Sequence, residues 1–251
     1  MTHLHLFEFQ DLRWVPRWMR NLLTDYLRYA SQVVQVYRPA ATILRSVIQT
    51  TGMRHIINLC SGGGGGLINL IPELNSSVKI TLTDACPNLD TFERLSQQYP
   101  TVSYIPEAIA AQHVPENLKG VRTLFTSFHH FTPTEANQIL LDAANSRSPI
   151  CVFEATDRSI AVLMAVLMIP IFSLCAAPLV KPFKWSRLIF TYLIPLIPIF
   201  LLWDGLVSVV RSYTLNDLSR MVHKIPGMEW EVGHLHASKR VRLTYLVGLP
   251  V

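Results

Sequence analysis

Two adjacent histidines, His129 and His130, close the apolar run "TLFTSFHHF". An imidazole there can take up and release a proton near neutral pH. Two carboxylates, Glu154 and Asp157, end or follow a second apolar run, "SPICVFE". A third, Asp84, ends "KITLTD", about 20 residues past five consecutive glycines, Gly62–Gly66. Glycine permits positive φ and close backbone approach, and a helix start after it offers free N–H groups to an anion. A carboxylate at the end of the next strand accepts hydrogen bonds from ribose hydroxyls. The pair therefore points to a nucleoside-containing ligand. The dinucleotide pattern G-x-G-x-x-G is met by Gly62 and Gly64, but Leu67 stands in its third glycine position. Two His-x-His pairs, His3/His5 and His234/His236, each put two rings on one strand face. No third ligand accompanies either, so no metal site is expected.

The elements that must carry these groups alternate. Short apolar strands are expected at 55–60, 79–84, 102–105, 121–127 and 148–154, with helices at 65–74, 87–98 and 132–146 between them. That order is the signature of a parallel sheet with crossover helices. It sets the candidate groups at the carboxyl ends of the strands, the ligand edge of an open α/β sheet. Residues 1–38 read as an amphipathic helical segment, with Trp18, Leu22, Tyr26, Tyr29 and Val33 at three- and four-residue steps among Arg13, Arg17, Arg20 and Arg28. A helix should open at Pro39 and stop at Gly52. Another starts at the Thr214 cap, and strands at 230–237 and 240–249 form a final antiparallel hairpin. The chain is thus read as an N-terminal segment, 1–38, and one domain, 39–251, interrupted by a hydrophobic hairpin at 159–203.

The chain has 251 residues, half of them apolar and 16% charged, with a net charge of +5. Its Lys and Arg are scattered, which argues against a nucleic-acid partner. Four widely spaced cysteines without a CxxC pattern read as buried free thiols of a reducing compartment. The start "MTHLHLFEFQDLRW" lacks a basic head followed by an apolar run, so no signal peptide is expected.

The stretch "IINLCSGGGGG" resembles the first motif of class I S-adenosylmethionine (SAM)-dependent methyltransferases, "ITLTDACPN" the second, and "TLFTSFHHF" the motif of the fourth strand. The resemblance covers roughly residues 50–157 and 214–250. It implies an α/β fold: a Rossmann-like, mostly parallel seven-stranded sheet with flanking helices, here with the N-terminal segment and the inserted hairpin added. It implies SAM as cofactor, held by Asn58, Cys60, Ser61, Gly62, Gly64, Asp84, Ala85, Ala111 and Phe128. His129 and His130 are then the candidate general bases, with Phe131, Glu154 and Asp157 toward the methyl acceptor. Three positions depart from the family pattern. Asn58 replaces an acidic residue, Cys60 replaces a glycine, and Ala110 and Ala111 stand where an acidic residue near the adenine is usual.

Residues 160–180 and 188–203 carry no charge. The first is just long enough to span a bilayer and the second is shorter than the ~20 residues a span needs. Pro170, Pro178, Pro195 and Pro198 should kink both. The hairpin needs a partner: a membrane surface or re-entrant contact, a lid over the site, or a homo-oligomer contact. Lys181, Lys184, Trp185 and Arg187 at its tip resemble an interfacial anchor. The expected protein is a cytoplasmic, membrane-associated methyltransferase of a hydrophobic small molecule or lipid. The alternatives are a non-catalytic module of the same fold and a nicotinamide-dependent oxidoreductase.

Overall fold

The computed structural model describes residues 6–12, 14–237 and 241–251. The pair His3/His5, Arg13 and the first residue of the strand expected at 240–249 lie outside them. In chain order the elements are α1 (Arg17–Val34), α2 (Ala40–Thr51), β1 (His55–Asn58), α3 (Gly65–Ile68), β2 (Lys79–Leu82), α4 (Leu89–Gln98), β3 (Val102–Tyr104), β4 (Val121–Phe125), α5 (Pro133–Asn145), β5 (Ile150–Glu154), α6 (Ile160–Leu167), α7 (Ile169–Ala176), α8 (Trp185–Leu188), α9 (Leu196–Arg211), α10 (Leu215–Val222), β6 (Met228–His236) and β7 (Arg242–Pro250). They fall into two compact units. A sheet unit holds Gln35–Ala155 and Tyr213–Val251, and a helical unit holds Met1–Val34 and Thr156–Ser212.

In the sheet unit seven strands run in the order β3-β2-β1-β4-β5-β7-β6. The first five are parallel, and β7 lies antiparallel between β5 and β6. Both faces are covered, which explains the near-continuous apolar strands. Alternation sends Ile56, Cys151 and Phe153 to the face of α2 and α4, where Leu44, Val47, Phe92 and Leu95 pack. It sends Ile57, Ile150 and Val152 to the face of α5 and α10, against Ala136, Ile139, Leu140 and Leu218. Capping boxes at Thr132/Glu135 and Thr214/Asp217 fix the starts of α5 and α10. The expected helix at 65–74 is shorter: α3 ends at Ile68, and a 3₁₀ turn at Ile71–Glu73 follows. Glycine costs about 1 kcal/mol per helical position relative to alanine, and Pro72 cannot extend α3. The cysteines are all free, but only Cys151 is buried, while Cys86 and Cys175 are exposed.

The helical unit packs α1 against the insertion. Leu22, Leu23 and Tyr26 meet Ala176, Ala177, Val180, Ile197 and Leu201. Neither uncharged stretch forms one helix. Pro170 sits in the first turn of α7 and Pro198 in that of α9, where a missing N–H costs least, so the prolines mark helix starts. α9 also runs past residue 203 to Arg211, because its polar residues are paired inside the unit. Asp204 accepts hydrogen bonds from the Phe9 and Gln10 N–H groups, and Arg211 pairs with Glu8 and Asp11. A second buried carboxylate, Asp25, pairs with Arg28, Lys184 and Arg187, each at 2.9 Å. This corrects the reading of the hairpin tip: Arg187 is fully buried and Lys184 is held by Asp25, leaving Lys181 and Trp185 exposed. Among the described residues no single helix is long and apolar enough to cross a membrane. The segments Trp185–Leu193 and Leu196–Arg211 meet that criterion only as a pair, bent by 78°.

Candidate functional site

The chain order reverses between β1 and β4, so the crevice beyond their carboxyl ends is the expected ligand position of such a sheet. The glycine run lies there. Cys60, Gly62 and Gly64 all have positive φ, at +52°, +49° and +72°. Glycine adopts that geometry freely, whereas Cys60 does so under strain. The Gly62 N–H donates to Asp84 Oδ2 at 2.7 Å, and Cys86 N–H donates to Oδ1 at 2.8 Å. The half-buried Asp84 carboxylate thus ties the loop after β1 to the one after β2. Gly66 has a different reason: a Cβ there would collide with the Phe125 ring, which stacks on Phe153. The run combines conformational need at two positions with close helix–strand approach at a third.

Asn58 is buried and fully engaged. Its Oδ1 accepts from Thr123 Oγ1 at 3.0 Å, and its Nδ2 donates to Ser61 Oγ at 2.9 Å. Ser61 donates in turn to the Asn58 carbonyl and accepts from the Thr83 N–H. These two residues brace the loop from beneath. Loss of solvent around the half-buried Cys60, aided by the Asp84 charge, pushes its thiol well above its ordinary range, so it is a neutral lining group. Ala85 is exposed and Ala111 is buried, on a segment tied to the Asp84 carbonyl through the Ile109 N–H.

The histidines sit on a 3₁₀ turn, Phe128–His130, just past β4. Thr126 launches that turn with φ +44°, which a β-branched residue rarely adopts. Its hydroxyl accepts from Tyr37 Oη at 2.6 Å and from the Ala155 N–H at 3.0 Å, and its own N–H donates to the Phe153 carbonyl. Burial keeps the Tyr37 phenol protonated, as its donor role requires. Glu154, at the end of β5, holds the rest of the turn. Its Oε1 accepts from the Ser127 and Phe128 N–H groups at 3.0 and 2.8 Å. Its Oε2 lies 2.5 Å from His129 Nδ1. A carboxylate only accepts, so Nδ1 carries the proton and Nε2 is the basic nitrogen of the neutral ring. His130, half-buried, lies against His129 with ring centroids 4.4 Å apart.

The structure therefore brings Cys60, Ser61, Gly62, Gly64 and Asp84 together at one loop, and His129, His130 and Glu154 at the neighbouring turn. Glu154, read from sequence as acceptor-facing, is the partner of His129. Phe128 is fully buried, with its ring against Tyr213. Phe131 is half-buried, and its carbonyl accepts from Tyr213 Oη. Asp157 belongs to the helical unit, where it accepts from the Ser159 N–H ahead of α6. Tyr37, Thr126 and Ser127 were not singled out from sequence. A polar Thr-Ser pair inside "LFTSFHH" is the signal that could have flagged the last two.

No protein-family model matches the chain, and no curated protein matches it. Solved structures do. The plantazolicin methyltransferase BpumL, solved in complex with SAH, superposes with a TM-score of 0.58 over 92% of this chain and 90% of its own, at 12% identity. A protein provisionally assigned as an O-methyltransferase, from Nostoc punctiforme PCC 73102, gives 0.55 at 12% identity, covering 97% of this chain and 63% of that one. The CurJ carbon methyltransferase gives 0.50 at 14% identity, covering 94% and 70%. The chain has the class I methyltransferase fold. At these identities the likeness carries the architecture, including the seven-stranded sheet, and not the chemistry.

Proposed function

We propose that this protein is a SAM-dependent methyltransferase acting on a hydrophobic small-molecule or lipid-like acceptor at or near a membrane. The observation that carries the first part is the Gly62–Asp84 link at the sheet's switch point. A positive-φ loop and a carboxylate at the end of β2 are the parts needed to cradle a nucleoside. The fit extends to the opposite wall, where Ser127 presents a buried hydroxyl with no protein partner. Gly62, Gly64 and Asp84 would hold SAM, with the segment near Ala111 on the adenine side. SAM supplies a methyl group already activated on a sulfonium. The chain must align the acceptor and, for a hydroxyl or similar nucleophile, remove its proton. Alignment is worth up to ~7–11 kcal/mol of barrier and a general base about 10²–10⁴-fold. His129 is the base best set for this. Glu154 fixes its tautomer and stabilises the imidazolium formed when Nε2 takes the proton, and His130 contacts the acceptor.

The hydrophobic acceptor and the membrane rest on the helical unit. Its solvent-facing residues Ile160, Leu163, Met164, Leu167, Met168 and Ile171 follow helical spacing along α6 and α7, so one whole stripe is apolar. Exposed Trp14, Trp18, Trp185 and Tyr192 belong to the same unit. Such surface is expected where a protein meets lipid or an apolar partner. A second reading, a non-catalytic module of the same fold, draws on Asn58, a neutral amide engaged by its neighbours. Transfer of isotopically labelled methyl from SAM to a panel of lipid and quinone-like acceptors separates the two. Labelled product supports the enzyme; SAM binding without transfer to any acceptor favours the module.

A further inference from the structure

Among the described residues, Ser127 carries the one buried side-chain hydroxyl with no hydrogen-bond partner. The residue is 8% exposed. Its polar neighbour is the Cys60 thiol, a weak partner that does not meet hydrogen-bond geometry. Buried hydroxyls are normally satisfied, and one that is not calls for a reason. The position supplies it. Ser127 follows β4 and Asp84 follows β2, and the strand order puts β2 and β4 on opposite sides of β1. The two residues therefore flank the glycine loop from opposite sides.

A nucleoside whose ribose reaches Asp84 has two arms. The Ala111 segment, fastened to Asp84 through Ile109, lies on the β3 side and takes the base. The other arm then runs across β1 toward β4. At the end of β1, both polar atoms of the Asn58 side chain are already used by Thr123 and Ser61, and the residue is 3% exposed. Resting on the methyl-donor reading above, we infer that the Ser127 hydroxyl binds the amino-acid arm of the donor, a contact Asn58 is not placed to make. The hydroxyl can donate to the carboxylate or accept from the ammonium of that arm. The Ser127 and Phe128 N–H groups, both held by Glu154, fix the backbone that aims it.

The test is calorimetric titration of the full chain, wild type and Ser127→Ala, with S-adenosylhomocysteine and with 5′-methylthioadenosine, which lacks the amino-acid arm. Thermal melting of the ligand-free proteins runs alongside. A hydrogen bond to a charged group corresponds to about 10–100-fold in affinity. The expected result is that loss for S-adenosylhomocysteine in Ser127→Ala, unchanged binding of methylthioadenosine, and a ligand-free melting temperature equal to or above wild type. Equal weakening of both ligands, unchanged S-adenosylhomocysteine binding, or a lowered ligand-free melting temperature with no selective loss would overturn the assignment. Failure of the wild type to bind either ligand would instead defeat the methyl-donor reading itself, and the inference with it.

Discussion

The sheet unit buries apolar side chains on both faces of its sheet and sets Asp84, Glu154 and the histidine pair at one edge. The helical unit has an apolar core as well, with Leu22, Leu23, Tyr26, Ile197 and Leu201, but it also encloses charged side chains and turns apolar ones outward. Asp25, Arg187, Asp204 and Arg211 are inside it, and Ile160, Met164, Ile171 and Leu193 face solvent. In the sheet unit Glu154, at the end of β5, is satisfied by N–H groups of the turn after the adjacent strand β4, 26 and 27 positions away. In the helical unit carboxylates are satisfied by groups far away in sequence, Asp25 by Arg187 across 162 positions and Asp204 by Phe9 across 195. The contrast separates a unit held by apolar cores on both faces of a sheet from one whose smaller apolar core is joined by a few buried ion pairs. Buried pairs give little net stability, but losing one partner is severe.

That contrast can be broken most strongly at Asp25. Asp25→Ala strands Arg187 and Arg28 without their shared carboxylate and should cost about 3–5 kcal/mol in the helical unit. Hydrogen exchange should show protection lost in α1 and α9 and kept in β1, β4 and β5. Equal loss across both units would mean they do not differ as described.

A smaller effect, with a defined pH window, comes from Asp204. Burial raises its carboxyl from 3.8 to about 6, outweighing the N–H groups that lower it. Between these values the folded protein binds the extra proton. The stabilising contribution of this group is therefore full below about pH 4 and is lost as pH rises through about 6. Two pKa units correspond to at most ~3 kcal/mol. Asp204→Asn keeps an acceptor for the Phe9 N–H and does not ionise. Its stability relative to wild type, from urea midpoints, should rise between pH 4 and 7. A flat or falling difference contradicts the assignment.

The least effect on stability is expected on the exposed apolar stripe. Replacing Met164 and Ile171 by serine should change folding stability by no more than about 0.5 kcal/mol each, because neither is buried. The same changes should weaken sedimentation with vesicles rich in phosphatidylglycerol. Strong destabilisation would show that the stripe is packed in solution, and undiminished vesicle binding would move the lipid contact elsewhere.

What could be read from the residues in order was the part with local logic. Strand and helix alternation, the glycine turn, Asp84 about 20 residues on, the helix from residue 132 and the one capped by Thr214 each depend on a few neighbouring positions. Apolar "LINLI" predicts a longer α3 than the glycines before it allow. Asp204 and Arg211 look like a return to surface and so predict an end of the insertion at residue 203, whereas α9 continues to Arg211. Their partners, Glu8, Phe9 and Asp11, lie about 200 positions away, and no local pattern joins them. At the site, the type and place of His129 and Glu154 were legible, but their mutual contact was not. Nor was the strained Thr126 hinge, which depends on Tyr37 reaching back from before α2.

The most direct measurement is titration of S-adenosylhomocysteine into wild type and Asp84→Ala, each shown to be folded by circular dichroism. The glycine run and Asp84 together are held to be the methyl-donor cradle. Micromolar binding by the wild type that is lost in the folded variant is the expected result. Binding of equal strength in both would place the ligand elsewhere, and no binding in either would remove the methyl-donor site from the account.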